Sequence, residues 1–424
     1  MNTPHCVVRL GMVFSALFCL AYTPAQAAER GISIASAFES ALAIDPELLA
    51  AEKRLESARY AIEASNSLTP EPLSLEGSYR SDRSFDNQGM REVEVGVVAP
   101  VWLWGERKGS QYLANAELEM ASLTTTLQKL ELAQQVRQAY WNTIAAHLDV
   151  EIAQARLVGT QRLLSDVEKR VAAGDLAPID QLQAQALHAQ AKADFGNAVS
   201  NVSLLAAEFT ALTGLPASAL SDPKIESMLA LQSTLGLSEH PALLHAKQRV
   251  SLAQARRELA AIQSRPNPEL GLAIVSDKGA FTAPEEKSLM IGTRIPLGSS
   301  AKHQSRILTT QADELAAQAS LSKLESSLKA RAQATASSVS LFEELKKTAE
   351  ERAKANQDAF VLIQKSFELG ETDLPTLLRF EQQAFEAQRL ARKATVEHAA
   401  KVSDYKQALG ILPENTPGKT LHFF

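Results

Sequence analysis

The side chains able to do chemistry are few and scattered. Of eight histidines, seven lie beyond the opening segment: His147, His188, His240, His245, His303, His398 and His422. None of these forms a cluster at zinc-site spacing. His240 and His245, five apart, suit a surface or a helix end. No Gly-x-Ser-x-Gly, His-Glu-x-x-His or phosphate-loop pattern occurs, and no serine has a plausible His/Asp arrangement. The expectation is a protein with no catalytic residue, no metal site and no cofactor. The carboxylates that do gather flank two glycines. Asp175 and Asp180 follow Gly174; Glu371 and Asp373 follow Gly370. Asp is also a preferred helix N-cap, so Asp180 and Asp373 can simply open the helices that come next.

The elements that position these residues are written twice. Asp45-Pro46-Glu47-Leu48 returns as His240-Pro241-Ala242-Leu243, an offset of 195. Pro70-Glu71-Pro72-Leu73 returns as Pro266-Asn267-Pro268-Glu269, Pro100 as Pro296 and Gly174 as Gly370, each at 196. Ala211–Pro216 (ALTGLP) matches Ala408–Pro413 (ALGILP) within one residue of the same offset. A period this long means two tandem halves and not a solenoid of short repeats. The division expected is a leader at 1–27, a first unit at 28–221, a second at 222–413 and a tail at 414–424.

Each half has one internal order. An amphipathic helix comes first, Ile32–Ser65 with a break near Asp45-Pro46, and then Pro241–Gln263. Two strands follow, Leu73–Ser81 and Glu92–Trp104 in the first half, Glu269–Asp277 and Ser288–Leu297 in the second. Turn-rich segments join each pair as hairpin loops. Very long helices come next. Ser299–Leu369 holds no Gly and no Pro and is rich in strong helix formers. Its counterpart Ser110–Ala173 is interrupted only by Gly159. Gly174 and Gly370 each end a long helix in a left-handed turn, and the chain returns through Pro178–Thr213 and Pro375–Leu409. The frequent alanines suit close packing in a coiled array. The fold class is α+β, mostly α.

The opening segment reads as a secretory leader: Arg9, an apolar run Leu10–Tyr22, and the small-x-small site Ala25-Gln26-Ala27, with cleavage expected after Ala27. Cys6 and Cys19 both lie in it, so the mature chain has no disulfide. Taking Arg9 from 43 basic residues, against 49 acidic ones, leaves a net charge of −7. That acidity disfavours nucleic acid as a partner. No later run approaches the roughly 18 apolar residues of a membrane-spanning helix. An exported chain of this kind is periplasmic or crosses a membrane as β-strands.

Strand periodicity separates those two. Val93, Val95, Val97, Ala99 and Val101 share one face, with Glu92, Glu94 and Gly96 on the other. Leu73, Leu75, Gly77 and Tyr79 alternate with Ser74, Glu76 and Ser78. This is the dyad of a transmembrane barrel, and equally of a half-buried sheet. Two facts favour the barrel: the chain is exported, and its four strands cannot close alone. Three copies would give twelve strands and an open lumen. Trp102 and Trp104, read at the end of the second strand, and Tyr79 are placed as interfacial anchors. Pro100 and Pro296 mark a swivel from strand to helix; an ordinary loop proline is the plainer reading.

From Ile32 to Pro413 these residues resemble the outer membrane efflux protein (TolC) family. Gly174-Asp175-Leu176-Ala177-Pro178-Ile179-Asp180-Gln181-Leu182 resembles that family's Gly…Asp-x-Leu helix–turn–helix. RPNPELGL (Arg265–Leu272), GTRIPL (Gly292–Leu297) and SFELGETDLPTLL (Ser366–Leu378) are similar to its heavy-metal branch. The resemblance implies a homotrimer: a twelve-stranded barrel in the outer membrane continuing into a long α-helical periplasmic tunnel. It also implies docking to a membrane-fusion adaptor and an inner-membrane pump of RND type. The two helix turns then form the periplasmic tip, with Gly174, Asp175, Asp180, Leu182, Gly370, Glu371, Asp373 and Leu374 as gate or adaptor contacts. Carboxylates ringing such a constriction favour cations. Thr376 stands where the first half has Asp180, so a symmetric ring at that level is not expected. Cargo is left open between metal cations, drugs and secreted protein, and a soluble periplasmic coiled-coil adaptor is the rival of another class.

Overall fold

The computed structural model describes residues 32–220, 224–226, 237–414 and 419–420. The leader, His422 and Phe424 lie outside the described residues. Helices α1 (Ile34–Ile44) and α2 (Pro46–Ser65) meet at Asp45, whose carboxylate accepts the Glu47 N–H at 2.7 Å and so caps α2 just before Pro46. Pro at the first helical position sacrifices no intrahelical bond, so the break costs little. Strands β1 (Ser74–Ser81) and β2 (Arg91–Pro100) follow, then α3 (Glu106–Ala173) and α4 (Pro178–Thr213). A short strand β3 (Lys224–Ile225) leads into α5 (Pro241–Ile262), β4 (Glu269–Lys278), β5 (Glu286–Arg294), α6 (Ser300–Glu368), α7 (Leu374–Ala408) and β6 (Lys419–Thr420). From α2 to α4 and from α5 to α7 the order helix, hairpin, long helix, return helix is the same.

The long helices run as their composition demands. At about 1.5 Å per residue, α3 and α6 each reach roughly 100 Å. Helix α3 begins at Glu106, earlier than the sequence suggests, and passes through Gly159 without a break. A glycine there costs only about 1 kcal/mol relative to Ala, too little to stop a helix held by packing along its length.

Two strands differ from expectation by more than a residue. Pro100 ends β2, so Trp102 and Trp104 lie beyond the strand; β5 occupies Glu286–Arg294 instead of Ser288–Leu297. Proline offers no N–H to continue the ladder. The Val101 N–H donates to Pro268 O at 2.7 Å, and the chain then turns into α3.

The sheet order is β1-β2-β4-β5, antiparallel throughout. Its register sorts side chains by polarity. Leu75, Val97, Leu272 and Ile291 form one cross-sheet row, and Gly77, Val95, Ile274 and Leu289 the next. All seven of those apolar side chains are solvent-exposed in the isolated chain. The opposite face carries Glu76, Glu94 and the row Arg80, Glu92, Asp277 and Glu286. Both outer edges, β1 and β5, lack a partner strand among the described residues.

The main core lies well away from the sheet, where α1, α3, α4 and α7 meet. Tyr140 and Phe209 are fully buried, each contributing about 1.5–3 kcal/mol of burial. Tyr140 Oη donates to Ile32 O at 3.0 Å and Trp141 Nε1 to Ser403 Oγ at 2.9 Å, fixing α1 and α7 against α3. Beside them Arg137 grips Glu226 through two bonds, Nε to Oε2 at 3.0 Å and Nη2 to Oε1 at 2.9 Å. The same guanidinium donates to Gln407 Oε1 and Ile411 O. Burial lowers the pKa of neighbouring Lys406, against the raising effect of Glu226. Close by in sequence, β3 pairs with β6.

Candidate functional site

The two helix turns are built alike. Gly174 has φ 85° and Gly370 φ 77°, a left-handed backbone that a Cβ would strain. Past each glycine the next N–H reaches back into the helix: Asp175 to Arg170 O and Glu371 to Ser366 O, both at 2.9 Å. These bonds satisfy carbonyls that the helix end leaves unpaired.

The following helices start with carboxylates in different roles. Ala177 has no oxygen to offer at the N-cap of α4, so Asp180 reaches back and accepts the Ala177 N–H at 3.0 Å. In the second turn the N-cap is Asp373, and its carboxyl is held below the usual range by the Thr376 hydroxyl. Thr376 is the repeat partner of Asp180, so the carboxylate and its capping partner have exchanged places between halves. Asp175 and Glu371 are exposed and sit at matching positions.

The fold brings both turns to one end. Leu164 and Val167 of α3, Ala184 of α4, Phe367 of α6 and Leu374 and Leu377 of α7 form a small common core. Leu374 is 1% exposed whereas Leu182 is 60% exposed. Of these two expected contact residues, Leu182 is therefore available to a partner and Leu374 is engaged inside the chain. Arg170 ties the turns together: Nη1 donates to Phe367 O at 3.1 Å, and the guanidinium stands 4.7 Å from that ring's centre.

Further along, a groove of about 610 Å³ separates α3 from the α6–α7 hairpin. Arg156 spans it, 3.3 Å from Asp194 on α4 and 3.7 Å from Glu381 on α7, with its guanidinium 4.2 Å from the Phe385 ring centre. Burial raises the Glu381 pKa, and Arg156 only partly opposes it. Neither Arg156 nor Arg170 stood out in the sequence, because a charge on a long polar helix looks like every other solvated charge. Phe360 and Phe367, one heptad apart on α6, were the available signal.

The remaining expected residues are placed as follows. Tyr79 lies on the apolar sheet face opposite Val93. Trp102 Nε1 donates to Ser67 O at 3.3 Å, and Trp104 projects from the turn before α3, 99% exposed. Pro100 closes β2, while Pro296 lies two residues past β5. His240 caps α5, its Nδ1 accepting the Ala242 N–H at 3.1 Å. Among the described residues no group of three His, Cys, Asp or Glu side chains could hold a metal ion, and no helix is long and apolar enough to cross a membrane.

Residues 37–215 match the family model of the outer membrane efflux proteins. No curated protein matches the chain. Among solved structures, the outer membrane protein VceC from Vibrio cholerae superposes with a TM-score of 0.72 at 17% identity, over 89% of this chain and 96% of that one. CusC, described with reference to transmembrane channel formation, gives 0.74 at 15% identity, over 89% and 92%. The open MtrE outer membrane channel of Neisseria gonorrhoeae gives 0.71 at 17% identity, over 89% of each. The fold is that of the outer-membrane channels. The family-model match covers the first of the two repeated units, and the likeness of fold extends over 89% of the chain. The glycine turns stand at one end of the molecule, and the sheet with its exposed apolar face at the other.

Proposed function

We propose that this chain is one subunit of a trimeric outer-membrane duct, a passive exit from the periplasm for heavy-metal cations. An RND-type inner-membrane pump would drive the flow through a periplasmic membrane-fusion adaptor. The observation carrying this reading is the sheet: one face apolar and exposed, the other acidic, both edges open. An apolar face in water and two raw edges are liabilities for a monomer, and both are removed when copies join edge to edge within lipid. Twelve shared strands leave an open lumen, which four cannot.

The helices support the same assembly. Helix α6 buries only Glu314, Ala317, Leu328, Val339 and Phe367, whereas α3, of similar length, buries more than three times as many residues. Neighbouring copies are the natural cover for Leu315, Leu341 and Leu345, each about half exposed or more. The polar sheet face supports a cationic cargo: Glu76, Glu92, Glu94, Glu269, Asp277 and Glu286 outnumber Arg80 and Arg294, of which each pairs with one carboxylate. Acidic rings in a pore attract cations.

In this reading the mature chain starts after Ala27 and comprises two units, 28–221 and 222–413. Gly174, Asp175, Asp180 and Leu182, with Gly370, Glu371 and Asp373, form the gate and adaptor surface, and Leu374 holds that surface from within. Tyr79, Trp102 and Trp104 meet the membrane interface, and Pro100 and Pro296 let strands turn into helices. The test is resistance of a deletion strain complemented with this chain. Restored tolerance of zinc, cobalt or cadmium, with drug tolerance unchanged, is the expected result. Restoration of drug tolerance or protein secretion alone would keep the duct and remove the metal cargo.

A further inference from the structure

The apolar face of the sheet is not uniform from end to end. Its register gives, after the two aliphatic rows, a row of Tyr79, Val93, Ser276 and Lys287, then a last row of Ser81, Arg91 and Lys278 beside the hairpin loops. Arg91 and Lys278 are direct cross-strand partners, and Lys287 is one row below. All three cations thus stand on the apolar face, where two like charges side by side are unfavourable unless something answers them. Among the described residues, a carboxylate that interacts with all three is Glu285, whose pKa is lowered first by the Ser276 hydroxyl and then by Arg91, Lys287 and Lys278. One carboxylate against three cations leaves an excess of two positive charges. The opposite end of the same face, with Ala99, Leu270 and Thr293 in its row, has none.

Dimensions fit a lipid layer. From the Ala99 row to the Val93 row is six residues along β2, roughly 20 Å of strand, and the Arg91 row comes roughly 7 Å later. A hydrocarbon-facing band ends in an aromatic residue and then in cations on flexible stems, which is the order in which acyl chain, interface and headgroup are met. We propose that Arg91, Lys278 and Lys287 form a binding rim for the phosphate-bearing headgroups of lipids in the leaflet at the hairpin-loop end of the sheet. This rests on the sheet crossing a membrane, and the helices at the opposite end make the loop end the outer one. Lipid, and not free phosphate, is the occupant because the cations are continuous with the aliphatic rows, so one molecule engages both.

The experiment compares the full chain with the triple variant Arg91→Gln, Lys278→Gln, Lys287→Gln. Both are reconstituted into vesicles of zwitterionic phospholipid with or without a bisphosphorylated saccharolipid, and co-purified lipid is counted by native mass spectrometry after gentle extraction. The natural chain is expected to retain the phosphorylated lipid selectively. The variant should lose that selectivity, by roughly five-fold per cation removed, with salt eroding the difference. Inorganic phosphate at millimolar concentration should not compete. Equal retention by the two proteins, or retention displaced by inorganic phosphate, overturns the rim. Should the triple variant fail to insert, the single variant Lys287→Gln, on a strand edge, decides by whether its selectivity falls. Failure of the natural chain to enter even zwitterionic vesicles would instead overturn the membrane-spanning sheet itself.

Discussion

At the scale of single residues, burial decides which charges matter. Arg137 is 3% exposed and holds Glu226 through two bonds, so Arg137→Ala leaves a carboxylate that is 9% exposed with a more distant cation, Lys406 at 3.9 Å. A loss of about 3–5 kcal/mol is expected, visible as a large drop in thermal midpoint; Arg137→Met combined with Glu226→Gln should recover most of it. Glu381 makes the opposite prediction. Its folded pKa lies above the ordinary value of 4.5, so the folded chain binds the proton more tightly than the unfolded one. Its contribution to stability therefore grows as pH falls through the raised value toward 4.5 and is absent at neutral pH. Glu381→Gln should be at least as stable as the natural chain at neutral pH and should flatten the midpoint-against-pH curve in the acid range above 4.5. An unchanged curve would assign that dependence to other groups. At the turns, Gly174→Ala and Gly370→Ala each force a left-handed alanine, at about 1–2 kcal/mol, even though a Cβ at either position meets no atom within 4 Å. Faster amide exchange confined to the adjoining helix ends is the expected signature.

At the scale of elements, the sequence was most readable where one rule acts alone. The Gly- and Pro-free stretch of α6 could only be helix, and Asp45-Pro46 marked the break between α1 and α2. Strand ends were less legible because the alternation of Val93 to Val101 continues past Pro100, where the ladder stops for want of an N–H. The partners Arg137–Glu226, 89 residues apart, and Arg156–Glu381 had no local signature, since tertiary contact alone distinguishes them from solvated charges. Asp180 and Asp373 were readable as caps, but not that one works from the third helical position and the other from the cap itself. Gly159 illustrates a cost without a local reward: no atom lies within 4 Å of where its Cβ would be. Gly159→Ala should raise stability by about 1 kcal/mol, measured by thermal unfolding in detergent; a loss would mean that the helix bends there for a reason of assembly.

At the scale of the whole molecule, the proposed assembly assigns the exposed side chains of α6 and the sheet to surfaces shared between copies. Leu315→Glu with Leu345→Glu should leave the helical core intact while reducing the mass seen by native mass spectrometry from oligomer to monomer. Retention of the oligomer would place the interface elsewhere. The open-edged sheet also bears on how the molecule is made. A solitary copy has no way to satisfy its β1 and β5 edges in lipid, where an unpaired backbone group costs several kcal/mol. As a subunit of the proposed duct, it could not enter the bilayer first and find its siblings afterwards. Under the proposed assembly, insertion is a collective event whose rate climbs steeply with the number of copies gathered, and a lone copy depends on escort until enough have met.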